Sequence, residues 1–107
     1  MMMTPSSTIA GQAIIETLGL VRGNTIRARH VGKDIMASLR TIVGGEIREY
    51  TKMLAESREQ AIDRMIAEAR DLGADAIVSV RFSTSYVMGN AAEILVYGDA
   101  VRTRGES

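Results

Sequence analysis

From Glu46 to Leu72 the chain carries one continuous apolar stripe. Ile47, Tyr50, Leu54, Ala61, Ile62, Met65, Ile66, Ala69 and Leu72 recur at the three- and four-residue steps of an amphipathic helix. Gly73 follows as a C-terminal cap. No other feature constrains the fold as tightly. A helix of this length, at ~1.5 Å per residue, spans roughly 40 Å. A compact domain of 107 residues has a radius of gyration near ~13 Å. The helix must therefore overhang the domain or break. Ser57, with Gln60 three residues on, offers a weak internal cap at such a break.

A shorter helix is predicted from Lys33 to Val43, with Ile35, Met36, Leu39, Ile42 and Val43 on its apolar side and Gly44-Gly45 ending it. Before it, Ala13 to Val21 reads as a strand that places Ile14, Ile15, Leu18, Leu20 and Val21 on both pleat faces. Gly19 and Gly23 interrupt it, each marking a bend, a bulge or a close backbone approach. Gly23-Asn24 is also a turn signal, beyond which Thr25 to Val31 extends the strand. The last third reads as a hairpin, Ala76 to Tyr86 and Glu93 to Arg102, turning at Met88-Gly89-Asn90. Simple alternation puts Ala76, Val78, Val80 and Phe82 on one face, and Ile77 with Ser79, Arg81 and Ser83 on the other. The order strand, helix, helix, strand, strand predicts a two-layer α+β sandwich. Residues 1–8 are expected to form a flexible N-terminal arm, 9–103 a single α+β domain and 104–107 a frayed tail. One helical layer leaves the second sheet face wet. A homo-oligomer that buries this face, or joins sheet edges between subunits, is therefore expected.

Composition narrows the chemistry. Apolar residues make up 46% and charged residues 24%, ordinary for a globular chain. Thirteen Lys and Arg balance thirteen Asp and Glu, so no global field favours nucleic acid or a membrane surface. With no Cys there is neither a disulfide framework nor a cysteine nucleophile. A single His excludes a multi-His metal site within one chain. No run of ~20 apolar residues spans a bilayer, and Met1–Ala10 lacks the pattern of a signal peptide. A cytoplasmic protein is the expectation.

Several separate segments resemble a known family. Ile15-Glu16-Thr17-Leu18-Gly19-Leu20-Val21 is similar to its N-terminal strand, and the run from Ile35 to Glu46 to its most recognisable stretch. Tyr50 through Leu54, Leu72-Gly73-Ala74-Asp75-Ala76-Ile77 and Tyr97-Gly98-Asp99-Ala100-Val101 continue the match, which covers Thr8 to Val101. The family is the YbjQ-like one, often called heavy-metal-binding domains. The resemblance implies a dodecin-like α+β fold assembled as a homo-oligomeric ring, a pentamer. It implies no settled biochemical role. Heavy soft metals prefer thiolate or thioether ligands, and the absence of Cys supports the metal label poorly. The chain also has no Trp, so a dodecin-like flavin clamp of stacked indoles is not available.

Among individual residues, His30 is the candidate metal ligand, placed at a strand-to-helix junction beside Arg27, Arg29 and Lys33. A junction histidine bonded to backbone is the simpler reading of it. A ring could gather one His30 per subunit if this residue faced the axis. Met1-Met2-Met3 offers thioethers at the chain start, whereas Met36, Met53 and Met65 read as core filler. Arg27, Arg29 and Lys33 form a candidate anion site at the start of the shorter helix. Ion pairing with the acid-rich Glu46–Asp75 stretch is the competing account. Leu95 and Tyr97 are the candidate interface residues. No catalytic constellation, phosphate loop or dinucleotide fingerprint occurs. The reading is a non-enzymatic oligomeric binding or scaffold protein with itself as partner. Its cofactor is unknown, flavin is not expected, and a metal ion or a small anion is the alternative ligand.

Overall fold

The computed structural model describes residues 1–28, 46–87 and 91–106. Strand β1 (Met2–Met3) is followed by β2 (Gln12–Ala28), helix α1 (Glu46–Asp71), β3 (Ala76–Val87) and β4 (Ala91–Gly105). The strands form one mixed sheet in the order β1-β3-β4-β2. β1 runs parallel to β3, and the other two pairings are antiparallel. α1 lies over β2 and β4 on one face. The fold is thus a small α+β arrangement with one helix on a four-stranded mixed sheet among the described residues. The shorter helix expected at Lys33–Val43 and the turn at Met88-Gly89-Asn90 lie outside them.

The two strand segments expected on either side of Gly23-Asn24 are one strand. β4 pairs β2 without a break there, with Arg22 opposite Tyr97, Gly23 opposite Val96 and Asn24 opposite Leu95. Gly23 is needed for a different reason. A Cβ on it would sit 2.0 Å from the Ala61 carbonyl oxygen and 2.6 Å from the Met65 amide nitrogen. The strand and the helix meet backbone to backbone at this point. Gly19 does mark a bulge: its φ is 132°, and the register shifts between Thr17 and Gly19.

α1 does not break. Ser57 is fully buried in mid-helix, and its carbonyl accepts a hydrogen bond from the Thr25 hydroxyl at 3.2 Å. Ser57, Ala61, Met65 and Ala69 form the deepest row, four residues apart. Three of these side chains are small, which lets the helix approach Gly23. Gly73 caps the helix as expected, at φ 80°. Its N–H donates to the Arg70 carbonyl at 2.9 Å, and the Ala74 N–H donates to the Ala69 carbonyl at 3.0 Å, a Schellman pattern. The overhang is accommodated by the strands. A strand as long as β2 reaches roughly 56 Å, and the molecule measures 58 × 26 × 16 Å with a radius of gyration of 17.5 Å.

In β3 the alternation expected from sequence fails at Ser79. This residue takes φ 55°, and the register slips between Val78 and Arg81. The extra residue reverses the phase of the strand. Ile77 and Val80 therefore both join the helix-side core of Val21, Ala61, Met65, Ile94, Val96 and Ala100, whereas Ala76 and Val78 pack with Val101 on the opposite face. Gly98 makes room for this: a Cβ there would meet Ile77 Cγ2 at 2.7 Å and Val80 Cγ2 at 3.3 Å. Each fully buried aliphatic side chain of such a core contributes about 1.5–3 kcal/mol.

The segment expected to be a flexible arm lies along the sheet instead. Met2 and Met3 pair with Ala76 and Ile77. The Thr4 N–H donates to the Ile77 carbonyl at 3.0 Å, and the Val80 N–H donates to Thr4 at 3.1 Å. The bulged Ser79 turns its N–H to the Ser6 carbonyl at 2.9 Å. Ile9 then covers Ala76, Val78 and Val101. At the other terminus the ladder continues to Gly105 opposite Gln12, and the Glu106 N–H reaches the Gly11 carbonyl at 2.9 Å. Edge pairing of this kind depends on what the tertiary fold brings alongside, and local sequence carries no signal for it.

Candidate functional site

Alternation along β2 sends Val21, Gly23 and Thr25 to the helix, all buried, and turns Leu20, Arg22, Asn24 and Ile26 outward, all exposed. The register then fixes their neighbours on the outward face. Leu20 lies beside Asp99 and Arg22 beside Tyr97, with Arg81 on the far side of that tyrosine. Asn24 lies beside Leu95 and Ser83, and Ile26 beside Glu93 and Ser85. Leu20 and Ile26 are each 61% exposed. Asn24 Nδ2 donates to Glu93 Oε2 at 3.1 Å across this face. The outward face is thus divided. One end is covered by Ile9, and among the described residues the remainder is bare. Within the bare part, apolar side chains gather on β2 and β4, whereas β3 presents Arg81, Ser83 and Ser85.

The expected interface residues, Leu95 and Tyr97, both fall on this bare part, Leu95 half-buried and Tyr97 at its exposed centre. Sequence reasoning put Leu20 in the first strand and Ile26 in its extension, and marked neither as an interface residue. Their spacing in Leu20-x-Arg22-x-Asn24-x-Ile26 carried the signal, which the supposed turn at Gly23-Asn24 obscured.

A second apolar surface lies on the helix side, where α1 leaves β3 uncovered. Met3, Thr4, Pro5, Ile62, Val80, Arg81 and Phe82 line a groove of about 510 Å³ there. Phe82 is 51% exposed in it. Arg81 Nη1 donates to the Pro5 carbonyl at 2.8 Å and to the Val80 carbonyl at 2.9 Å, tying the N-terminal segment to β3.

Other described polar groups make contacts within the fold. Asp75 Oδ2 accepts the Thr103 N–H at 3.0 Å beside the helix cap. Arg64 donates to the Asn24 carbonyl from α1. Arg102 Nε and Glu16 Oε1 approach to 3.5 Å as a half-exposed ion pair.

The three N-terminal methionines do not converge. Met2 and Met3 are successive strand residues and project to opposite faces; Met2 is exposed and Met3 packs against the helix-side core. Met65 is core filler, as expected. Among the described residues no group of three or more His, Asp or Glu is placed to hold a metal ion. With no Cys in the chain and these thioethers apart, the donors described do not suit a soft heavy metal. The Arg27 backbone pairs with Ala92, but its side chain, together with Arg29, His30 and Lys33, lies outside the described residues. No described helix is long and apolar enough to cross a membrane.

Comparison with known proteins accords with this architecture. A UPF0145 protein of Dehalococcoides mccartyi strain BAV1 is 63% identical over 101 residues, spanning 94% of this chain and 97% of its own. A UPF0145 protein of Methanosarcina acetivorans is 59% identical over 102 residues, spanning 95% and 96%. A crystal structure of a Pediococcus pentosaceus protein of unknown function, from the DUF74 family, superposes with a TM-score of 0.65 over 97% of this chain and 98% of its own. At 18% identity that likeness concerns the fold alone. The profile of the YbjQ family, described as "Putative heavy-metal-binding", matches residues 1–104, and the chain belongs to that family, whose UPF0145 members are uncharacterised.

Proposed function

We propose that this protein is a non-catalytic, cytoplasmic subunit of a homo-oligomeric ring, a pentamer, that serves as a binding or scaffold protein. One observation carries the reading: Leu20 and Ile26 stand 61% exposed on the same sheet face as Leu95 and Tyr97, a face that nothing described in the chain covers beyond the end under Ile9. Apolar surface of this kind is the ordinary mark of a protein–protein contact. The outer edge of β2, 17 residues long, adds beside that face a row of backbone groups, unpaired among the described strands, that a neighbouring subunit can engage. A head-to-tail contact of that sort closes into a ring when its rotation allows.

Light scattering at micromolar concentration tests the proposal. A mass about five times 11.6 kDa is expected, and a mass of one chain would overturn it. Leu95→Asp is expected to lower the mass while the far-ultraviolet circular dichroism is retained. An intact oligomer carrying that aspartate would remove this face from the interface.

A further inference from the structure

We draw no further inference here: the strongest candidate, the apolar groove between the N-terminal segment, α1 and β3 that Met3, Pro5, Ile62, Val80 and Phe82 wall, carries nothing because nothing in the structure shows what covers it.

Discussion

The two faces of the sheet are built by opposite rules. On the helix side, backbone meets backbone at Gly23, small side chains line α1, and Ile77 and Val80 fold over Gly98. On the outward side, side chains as large as Leu20, Ile26 and Tyr97 stand exposed, and among the described residues only Ile9 covers one end. Tolerance to substitution differs accordingly. Where α1 meets β2 and β4 the helix side has no space to yield, so added volume there is expressed as lost folding stability. Among the described residues the outward side is open beyond Ile9, so changes there are expressed in what the surface contacts.

Gly23→Ala challenges the first face most severely. The new methyl would overlap the Ala61 carbonyl and the Met65 amide, and neither is a movable side-chain end. A loss of about 3 kcal/mol or more is expected in urea unfolding. Full stability would show that α1 can move off β2. Gly19→Ala sharpens the point: no atom lies within 4 Å of its Cβ, so only the φ of 132° resists it, at about 1–3 kcal/mol.

Ile9→Ser tests the covered end of the outward face and is expected to cost about 1–2 kcal/mol through lost apolar burial. A neutral result would mean that Ile9 rests on Ala76, Val78 and Val101 without protecting them. Leu20→Asp on the bare part is expected to change monomer stability by less than about 0.5 kcal/mol while lowering the mass seen by light scattering. Ser83→Asp, on the polar β3 side of the same face, should leave the mass unchanged. Equal effects of the two would erase the division between the apolar and polar parts. A small effect on stability, with none on the mass, belongs to Glu16→Gln. Its pair with Arg102 is half-exposed, and its loss should cost no more than about 1 kcal/mol, less at high salt.

What could be read from sequence followed from period and cap. The apolar stripe and Gly73 located α1 to within a residue, and the hairpin strands were placed within a few residues of their observed ends. The family resemblance likewise proved correct. Three features were not legible, each for a physical reason. Gly23-Asn24 resembles a turn because glycine serves turns and close packing equally well, and only the helix opposite tells them apart. Ser79 adopts a left-handed conformation that serine seldom takes, so nothing in its identity announces the bulge that reverses the phase of β3. The pairing of residues 1–8 depends on an edge of β3 supplied from the far end of the chain. For the outward face, Leu95, Tyr97 and Leu20 were legible as strand residues, whereas the supposed turn hid that Ile26 shares the face of Leu20.

The pairing of β2 with β4 also has a consequence for synthesis. Gln12 meets Gly105 and Ala28 meets Ala91, so the first long strand made has its ladder partner in the last one. At roughly 5–20 residues per second, several seconds pass between their emergence from the ribosome. Throughout that interval β2 lacks its ladder partner, and until residue 71 has emerged it also lacks the helix that buries Val21. Contacts this distant in sequence also form slowly once the chain is complete. The nascent chain therefore passes through an aggregation-prone stage, with the backbone ladder of β2 unpaired, that ends only with the arrival of β4.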